Sequence, residues 1–202
     1  LALERPRKHY QWYYSTRAAN ADMVNSAQGL KSFLRAYFHM KSAGWVANSP
    51  YPLEGWRAEE LAKLPTYYVM DADQDMAQTV RSDDPGGALA FLDDAELDVY
   101  TQEYGRTGFQ GGLNWYRCAT DPSFLPELQL MSGRKIGVPA CFIAGASDWG
   151  VFQKPGDYER MYESVCTDIR DIKLIDGAGH WVQQEQPAAV LDTLIPFLNA
   201  TR

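Results

Sequence analysis

The sequence is poor in the features on which metal, redox, membrane and nucleic-acid proteins depend. Its three cysteines, Cys118, Cys141 and Cys166, have no CxxC spacing, which favours small buried hydrophobes in a reducing compartment. No apolar run approaches the ~18 residues of a membrane span, and the first residues lack the apolar core of a secretory signal. The formal net charge of -7 offers no basic surface for phosphates or anionic lipids. We therefore expect no metal, organic cofactor, nucleic acid or membrane as partner, and a cytoplasmic location.

The first of two regions of different character covers residues 1–130 and is aromatic-rich and helical in pattern. Ser26 is placed to begin an amphipathic helix that Gly44 is placed to end. Three glycines, Gly108, Gly111 and Gly112, are expected to break the chain before a further helix at Leu113 to Cys118. This region therefore consists mainly of helices.

The second region, residues 131–202, alternates strands and helices. Continuous apolar runs at 138–145 and 169–175 have the length of strands, and such runs are typical of parallel strands buried on both faces. Helical patterns follow at about 156–166 and 187–198. The order strand, helix, strand, helix predicts an α/β fold, as the last part of a doubly wound parallel sheet.

An acid and a histidine follow the two predicted strands in that order. Asp148 comes after the first strand and His180 after the second, and parallel strands place functional groups just beyond their carboxyl ends. Asp176 and Asp157 are rival acids, although Asp157 is better placed to begin a helix. Ser147 lies in a sequence that lacks the second glycine of a GxSxG elbow. Asp148 and His180 thus match the last two members of a hydrolase triad.

Three short segments resemble the epoxide hydrolases of the α/β-hydrolase fold. Residues 107–117, TGFQGGLNWYR, resemble the cap segment in which a tyrosine, here Tyr116, lies between Asn-Trp and Arg. Tyr10 and Gln11 resemble the other cap tyrosine with its following glutamine. Residues 177–181, GAGHW, resemble the histidine loop of the same family. The resemblance covers nearly the whole chain.

The resemblance implies a fold and a division of the chain. Residues 1–130 would be a mostly helical cap, and residues 131–202 the C-terminal strands and helices of the α/β-hydrolase core. The nucleophile elbow and the HGxP oxyanion loop of the family are absent. We therefore expect a missing N-terminal half of the same fold to carry the nucleophile, and the 202-residue chain alone to be inactive.

The resemblance also implies a chemistry for a small hydrophobic substrate. Phenols of Tyr10 and Tyr116 would donate hydrogen bonds to an epoxide oxygen while an aspartate attacks carbon to form an ester. His180 and Asp148 would then activate the water that hydrolyses this ester. The side chains expected to bind substrate are Trp12, Gln11, Trp115, Trp149 and Trp181.

Other interpretations stay open. Haloacetate dehalogenases share the fold and the aspartate nucleophile, but usually have His-Trp where this chain has Gln11-Trp12. An ester or lactone hydrolase with a serine nucleophile is a second alternative. A relative that binds a small hydrophobic ligand without catalysis is a third. The tyrosines and tryptophans also have a simpler interpretation, since aromatic side chains commonly pack in a core.

Overall fold

A computed structural model describes residues 3–201 and divides them into two compact units. The first unit contains residues 3–40 and Ala62–Ser132, and the second contains Lys41–Leu61 and residues 133–201. The sequence pattern grouped 41–61 with the first region. These residues instead make their contacts in the second unit, where the Lys41 carbonyl accepts a 2.8 Å hydrogen bond from the His180 N–H.

Helices outnumber strands in both units. In chain order the elements are β1 (Arg7–His9), α1 (Tyr10–Tyr14), α2 (Ala18–Val24), α3 (Leu30–Met40), α4 (Ala58–Leu61), β2 (Val69–Asp71), α5 (Met76–Val80), α6 (Asp94–Thr107), α7 (Gln110–Thr120), α8 (Leu125–Gln129), β3 (Ala140–Gly145), α9 (Asp157–Arg160), β4 (Ile169–Ile175), α10 (Val182–Glu185) and α11 (Pro187–Ala200). Single 3₁₀ or π-helical turns connect several of them. Between residues 3 and 201, no helix combines the length and apolar character needed to cross a membrane.

The first unit begins with an antiparallel pair of short strands that the sequence did not predict. β1 pairs with β2 so that His9 lies opposite Val69. The N–H of Tyr10 extends the pairing by donating to the Tyr68 carbonyl at 2.8 Å. Helix α1 starts at Tyr10, so this pairing fixes the position of Tyr10.

Helix α3 is amphipathic as predicted, but it is shorter at both ends. It begins at Leu30 and not near Ser26, because Gly29 has φ +82° and closes a turn onto the Ser26 carbonyl. It ends at Met40 and not near Gly44. The Lys41 carbonyl, which a longer helix would bond internally, instead accepts from His180.

Helix α7 includes two of the three glycines that were expected to interrupt the chain. It runs from Gln110 to Thr120, so Gly111 and Gly112 lie in its first turn and the prediction of a break there is wrong. The break predicted at Gly108 is confirmed, because α6 ends there and Gly108 has φ +66°. Glycine disfavours a helix by only about 1 kcal/mol per residue, a cost that the burial of Leu113 and the contacts of α7 with α1 offset.

The second unit is built on a parallel sheet of β3 and β4, which confirms the predicted α/β fold class. The two strands run in register to their carboxyl ends, where Gly145 lies opposite Ile175. Burial on both faces was expected but is not observed, because Gly145 and Ile175 are the only residues of these two strands that are buried. A small core lies between this sheet and the last helices, made by Ile175, Ala178, Val182 and Val190.

Candidate active site

The carboxyl ends of β3 and β4 bring the predicted acid and histidine together in the second unit. His180 Nδ1 lies 3.1 Å from Asp148 Oδ2. The other carboxylate oxygen of Asp148 accepts a 2.7 Å hydrogen bond from the Gly150 N–H. Asp148 therefore holds the imidazole by one ring nitrogen and is itself held by the backbone. This arrangement leaves Nε2 as the ring nitrogen that can exchange a proton with a substrate or water.

Glycine makes the close approach of the two loops possible. A Cβ at Gly145 would lie 2.2 Å from the Gly179 carbonyl oxygen and 2.3 Å from that of Ala178. Two backbone hydrogen bonds join the same loops, from the N–H of Ala146 to Ile175 O and from that of Ser147 to Ala178 O, both at 2.9 Å. The acid and the histidine are thus positioned by direct backbone contact between the loops that carry them.

The charges of the site are set by partial burial. Burial raises the pKa of Asp148, but the hydrogen bond and charge of His180, the Gly150 N–H and the Lys41 charge outweigh it and lower that pKa. Burial is also the main effect on His180 and lowers its pKa, an effect that Lys41 reinforces and that Asp148 and Glu185 oppose. The site therefore favours an ionised acid beside a neutral histidine, which is the resting state that a general base requires.

The rival residues lie in other environments. Asp176 is exposed, and Asp157 lies in the first turn of α9, where its carboxylate accepts from Arg160 at 2.8 Å. Ser147 takes part in the loop contact through its backbone N–H. Of the acids considered from the sequence, Asp148 is the one that contacts His180.

The first unit brings Tyr10 and Tyr116 together. Their ring centroids are 5.7 Å apart at an interplanar angle of 75°. Burial, followed by the neighbouring phenols of Tyr37 and Tyr10, raises the pKa of Tyr116 above its ordinary value. Tyr116 therefore stays protonated across the neutral range and remains a hydrogen-bond donor.

A polar clamp of Ser15, Arg117 and Thr120 fixes α1 against α7. Arg117 Nε donates to the Ser15 carbonyl at 3.1 Å, and Thr120 Oγ1 donates to Ser15 Oγ at 2.7 Å. Ser15 Oγ donates its own proton to the Gln11 carbonyl at 2.6 Å, within the first helix. The bonds of Ser15 with Arg117 and Thr120 join residues 102 and 105 positions apart in sequence and hold the two helices that carry the tyrosines against each other. We refer to them as the Ser15 clamp.

The five side chains expected to bind substrate have different environments. In the first unit Trp12 is 63% exposed and Trp115 is 78% exposed, while Gln11 is half-buried. In the second unit Trp181 packs edge-on against His180 at 5.0 Å. Trp149 is buried against Tyr51. Their roles in binding stay predictions, and Trp149 has the environment of a core side chain.

Two residues near the histidine were missed in the sequence. Lys41 is 5% exposed and accepts the His180 N–H through its carbonyl. Glu185 accepts hydrogen bonds from backbone N–H groups on both sides of His180. A charged residue five positions after a histidine is a weak signal, and nothing local connects Lys41 to a loop about 140 residues later.

Among residues 3–201, no cluster of His, Cys, Asp and Glu could hold a metal ion.

Solved structures share this architecture over almost the entire chain. Epoxide hydrolase A from Mycobacterium thermoresistibile matches with a TM-score of 0.71 and 28% identity, covering 97% of this chain and 53% of that one. An epoxide hydrolase from an endophytic Streptomyces matches with a TM-score of 0.77 and 24% identity, covering 98% of this chain and 54% of that one. With its parallel strands and acid–histidine pair, the chain is part of an α/β-hydrolase fold.

Sequence comparison identifies the branch of that fold. Epoxide hydrolase A of Mycobacterium tuberculosis is 43% identical over 119 residues, which is 59% of this chain and 35% of that protein. No protein-family model matches the chain. The chain is a homologue of the epoxide hydrolases, which confirms the resemblance seen in its motifs. It spans about half the length of the solved relatives and matches about a third of the curated one.

Proposed function

We propose that the protein hydrolyses a small hydrophobic epoxide to a diol through an aspartyl-ester intermediate. The observation that carries this proposal is the ring contact that pairs Tyr10 with Tyr116 in the first unit. An acid–histidine pair serves many hydrolases of the fold, whereas two adjacent phenols, one buried and one half-buried, suit a reaction that generates an alkoxide.

In the first step, a carboxylate opens the epoxide ring. An aspartate, supplied by the part of the fold outside these 202 residues, attacks an epoxide carbon and forms an ester as the carbon–oxygen bond of the ring breaks. Tyr10 and Tyr116 donate hydrogen bonds to the departing oxygen, and one of them transfers its proton. An alkoxide is a stronger base than a phenolate, so the transfer is favourable even though the pKa of Tyr116 is raised.

In the second step, His180 and Asp148 hydrolyse the ester. The neutral imidazole takes a proton from water through Nε2, and the resulting hydroxide attacks the ester carbonyl. Asp148 stabilises the imidazolium through its hydrogen bond to Nδ1. The tetrahedral intermediate then releases the diol, the imidazolium returns its proton, and the aspartate and the tyrosine pair regain their starting forms. The net reaction adds one water to one epoxide.

A single turnover in ¹⁸O-labelled water tests both steps. The natural full-length protein, in excess over styrene oxide, should give a diol whose new oxygen is ¹⁶O, because that oxygen comes from the aspartate carboxylate. Later turnovers should give ¹⁸O-labelled diol. An ¹⁸O label in the first turnover would mean that water attacks the epoxide directly, and the ester mechanism would then be wrong.

The competing functions give different results in parallel assays. Halide release from chloroacetate without diol formation would identify a dehalogenase. Cleavage of p-nitrophenyl acetate, but of no epoxide, would identify an ester hydrolase with another nucleophile. Binding of epoxides without turnover would identify a ligand-binding relative. Each of these outcomes would overturn the proposed reaction.

A further inference from the structure

The carboxylate of Glu185 binds three backbone N–H groups around the histidine loop. Oε1 accepts from Gly179 at 2.9 Å and from Trp181 at 3.1 Å, and Oε2 accepts from Ala43 at 2.7 Å. Gly179 and Trp181 are the residues immediately before and after His180. One side chain therefore holds both ends of the peptide unit that carries the imidazole.

Helix capping accounts for only one of these three bonds. Trp181 is the residue just before α10, and Glu185 is the last residue of that helix. The bond from the Trp181 N–H to Glu185 is therefore local in sequence. The bond to Ala43 instead joins residues 142 positions apart. It ties the histidine loop to the 41–43 segment, whose Lys41 carbonyl also accepts the N–H of His180. Glu185 and the Lys41 carbonyl thus both join the histidine loop to the 41–43 segment.

The charge of Glu185 also acts on the imidazole. Three charged side chains influence His180: Asp148 and Glu185 raise its pKa, and Lys41 lowers it. During ester hydrolysis the imidazole becomes positively charged, so a nearby carboxylate stabilises the state that forms in that step. Removal of this carboxylate should disfavour the imidazolium as well as loosen the loop.

We propose that Glu185 is a positioning residue for the catalytic histidine, acting through the three backbone N–H groups that its carboxylate binds. The inference rests on the proposed function for its kinetic consequence. It predicts that Glu185 affects the His180-dependent hydrolysis of the ester, and leaves ring opening by the aspartate and the tyrosine pair largely unchanged.

Three variants of the natural full-length protein separate geometry from charge. Glu185→Gln keeps the shape but removes the charge and presents an N–H₂ to one of the bound N–H groups. Glu185→Asp keeps the charge but shortens the reach. Glu163→Gln is the matched control, because Glu163 is an exposed carboxylate of the same unit. Pre-steady-state kinetics with styrene oxide measure ring opening and ester hydrolysis separately, and NMR titration of the His180 ring reports its pKa.

We expect Glu185→Gln to slow ester hydrolysis about 10- to 100-fold, as for a misplacement of catalytic groups approaching 1 Å, and to lower the His180 pKa. Glu185→Asp should slow hydrolysis with less effect on the pKa, and Glu163→Gln should change neither. A Glu185→Gln protein that is less stable but has unchanged hydrolysis and an unchanged His180 pKa would assign Glu185 a purely structural role and overturn the proposal.

Hydrogen exchange in the unaltered protein tests the contact without any variant that could fail to fold. The amides of Ala43, Gly179 and Trp181 should be protected well beyond exposed loop amides. Free exchange at all three would overturn the proposal. The NMR and exchange measurements do not require an epoxide substrate, so a failure of the proposed reaction can be distinguished from a failure of this inference.

Discussion

Gly179→Ala is the substitution whose consequence follows most directly from the geometry. A Cβ at this position would lie 2.5 Å from the Lys41 carbonyl oxygen, 2.7 Å from the Ser42 carbonyl carbon and 2.8 Å from the Ala43 nitrogen. Ordinary contacts begin at 3.4 Å, and all three neighbours are backbone atoms. The histidine loop must therefore move away by a distance on the order of 1 Å, which costs about 100-fold in rate when catalytic groups are misplaced.

The same clash should reduce stability. Overpacking of a close contact costs about 1–3 kcal/mol, so the urea midpoint of the full-length protein should fall. The control is Gly137→Ala, because a Cβ at Gly137 would meet only Thr167 Oγ1 at an ordinary 3.8 Å. We would measure steady-state epoxide hydrolysis and urea unfolding for both variants. Wild-type turnover in Gly179→Ala would refute the conclusion that this backbone contact positions His180.

Four further outcomes follow from the site. His180→Gln should accumulate the covalent ester, seen as a mass increase equal to the epoxide, because ring opening does not need the imidazole. Tyr116→Phe should slow ring opening by about 10- to 1000-fold, with little change in unfolding free energy, since it removes a donor to the developing alkoxide. The wild-type rate of ester hydrolysis, and with it kcat, should fall on acidification through a pKa below the ordinary histidine value of 6.5, because the imidazole must be neutral to accept a proton. Gly112→Ala should stabilise the protein by about 0.5–1 kcal/mol in thermal unfolding, since a Cβ there meets nothing within 4 Å.

Local sequence signals were sufficient to predict the two parallel strands and the acid and histidine that follow them. Apolar runs of strand length predicted β3 and β4, and parallel strands bring their carboxyl ends to one edge. The order of Asp148 and His180 along the chain then followed the known order of the triad. Burial of the strands could not be predicted in the same way, because it depends on what packs against each face and not on the strand's own residues.

Contacts distant in sequence account for most of what was missed. Helix α3 ends at Met40, and the next carbonyl, that of Lys41, accepts a hydrogen bond from His180. Helix α7 continues through Gly111 and Gly112 and packs against α1. Helix propensity alone predicted a longer α3 and a break at Gly111 and Gly112. Tertiary contacts override such propensities. Glu185 was overlooked for the same reason, since its partner Ala43 lies 142 residues earlier.

Under the proposed function, the Ser15 clamp has a consequence for engineering the range of epoxides that the protein would accept. The clamp and the tyrosine pair lie between α1 and α7, whereas Trp12 and Trp115 project from these two helices as exposed rings. Residues 12 and 115 can therefore be randomised together in a directed-evolution library with little loss of folded clones. A library that also varied Ser15 or Thr120 would sample mostly clones with a displaced tyrosine pair.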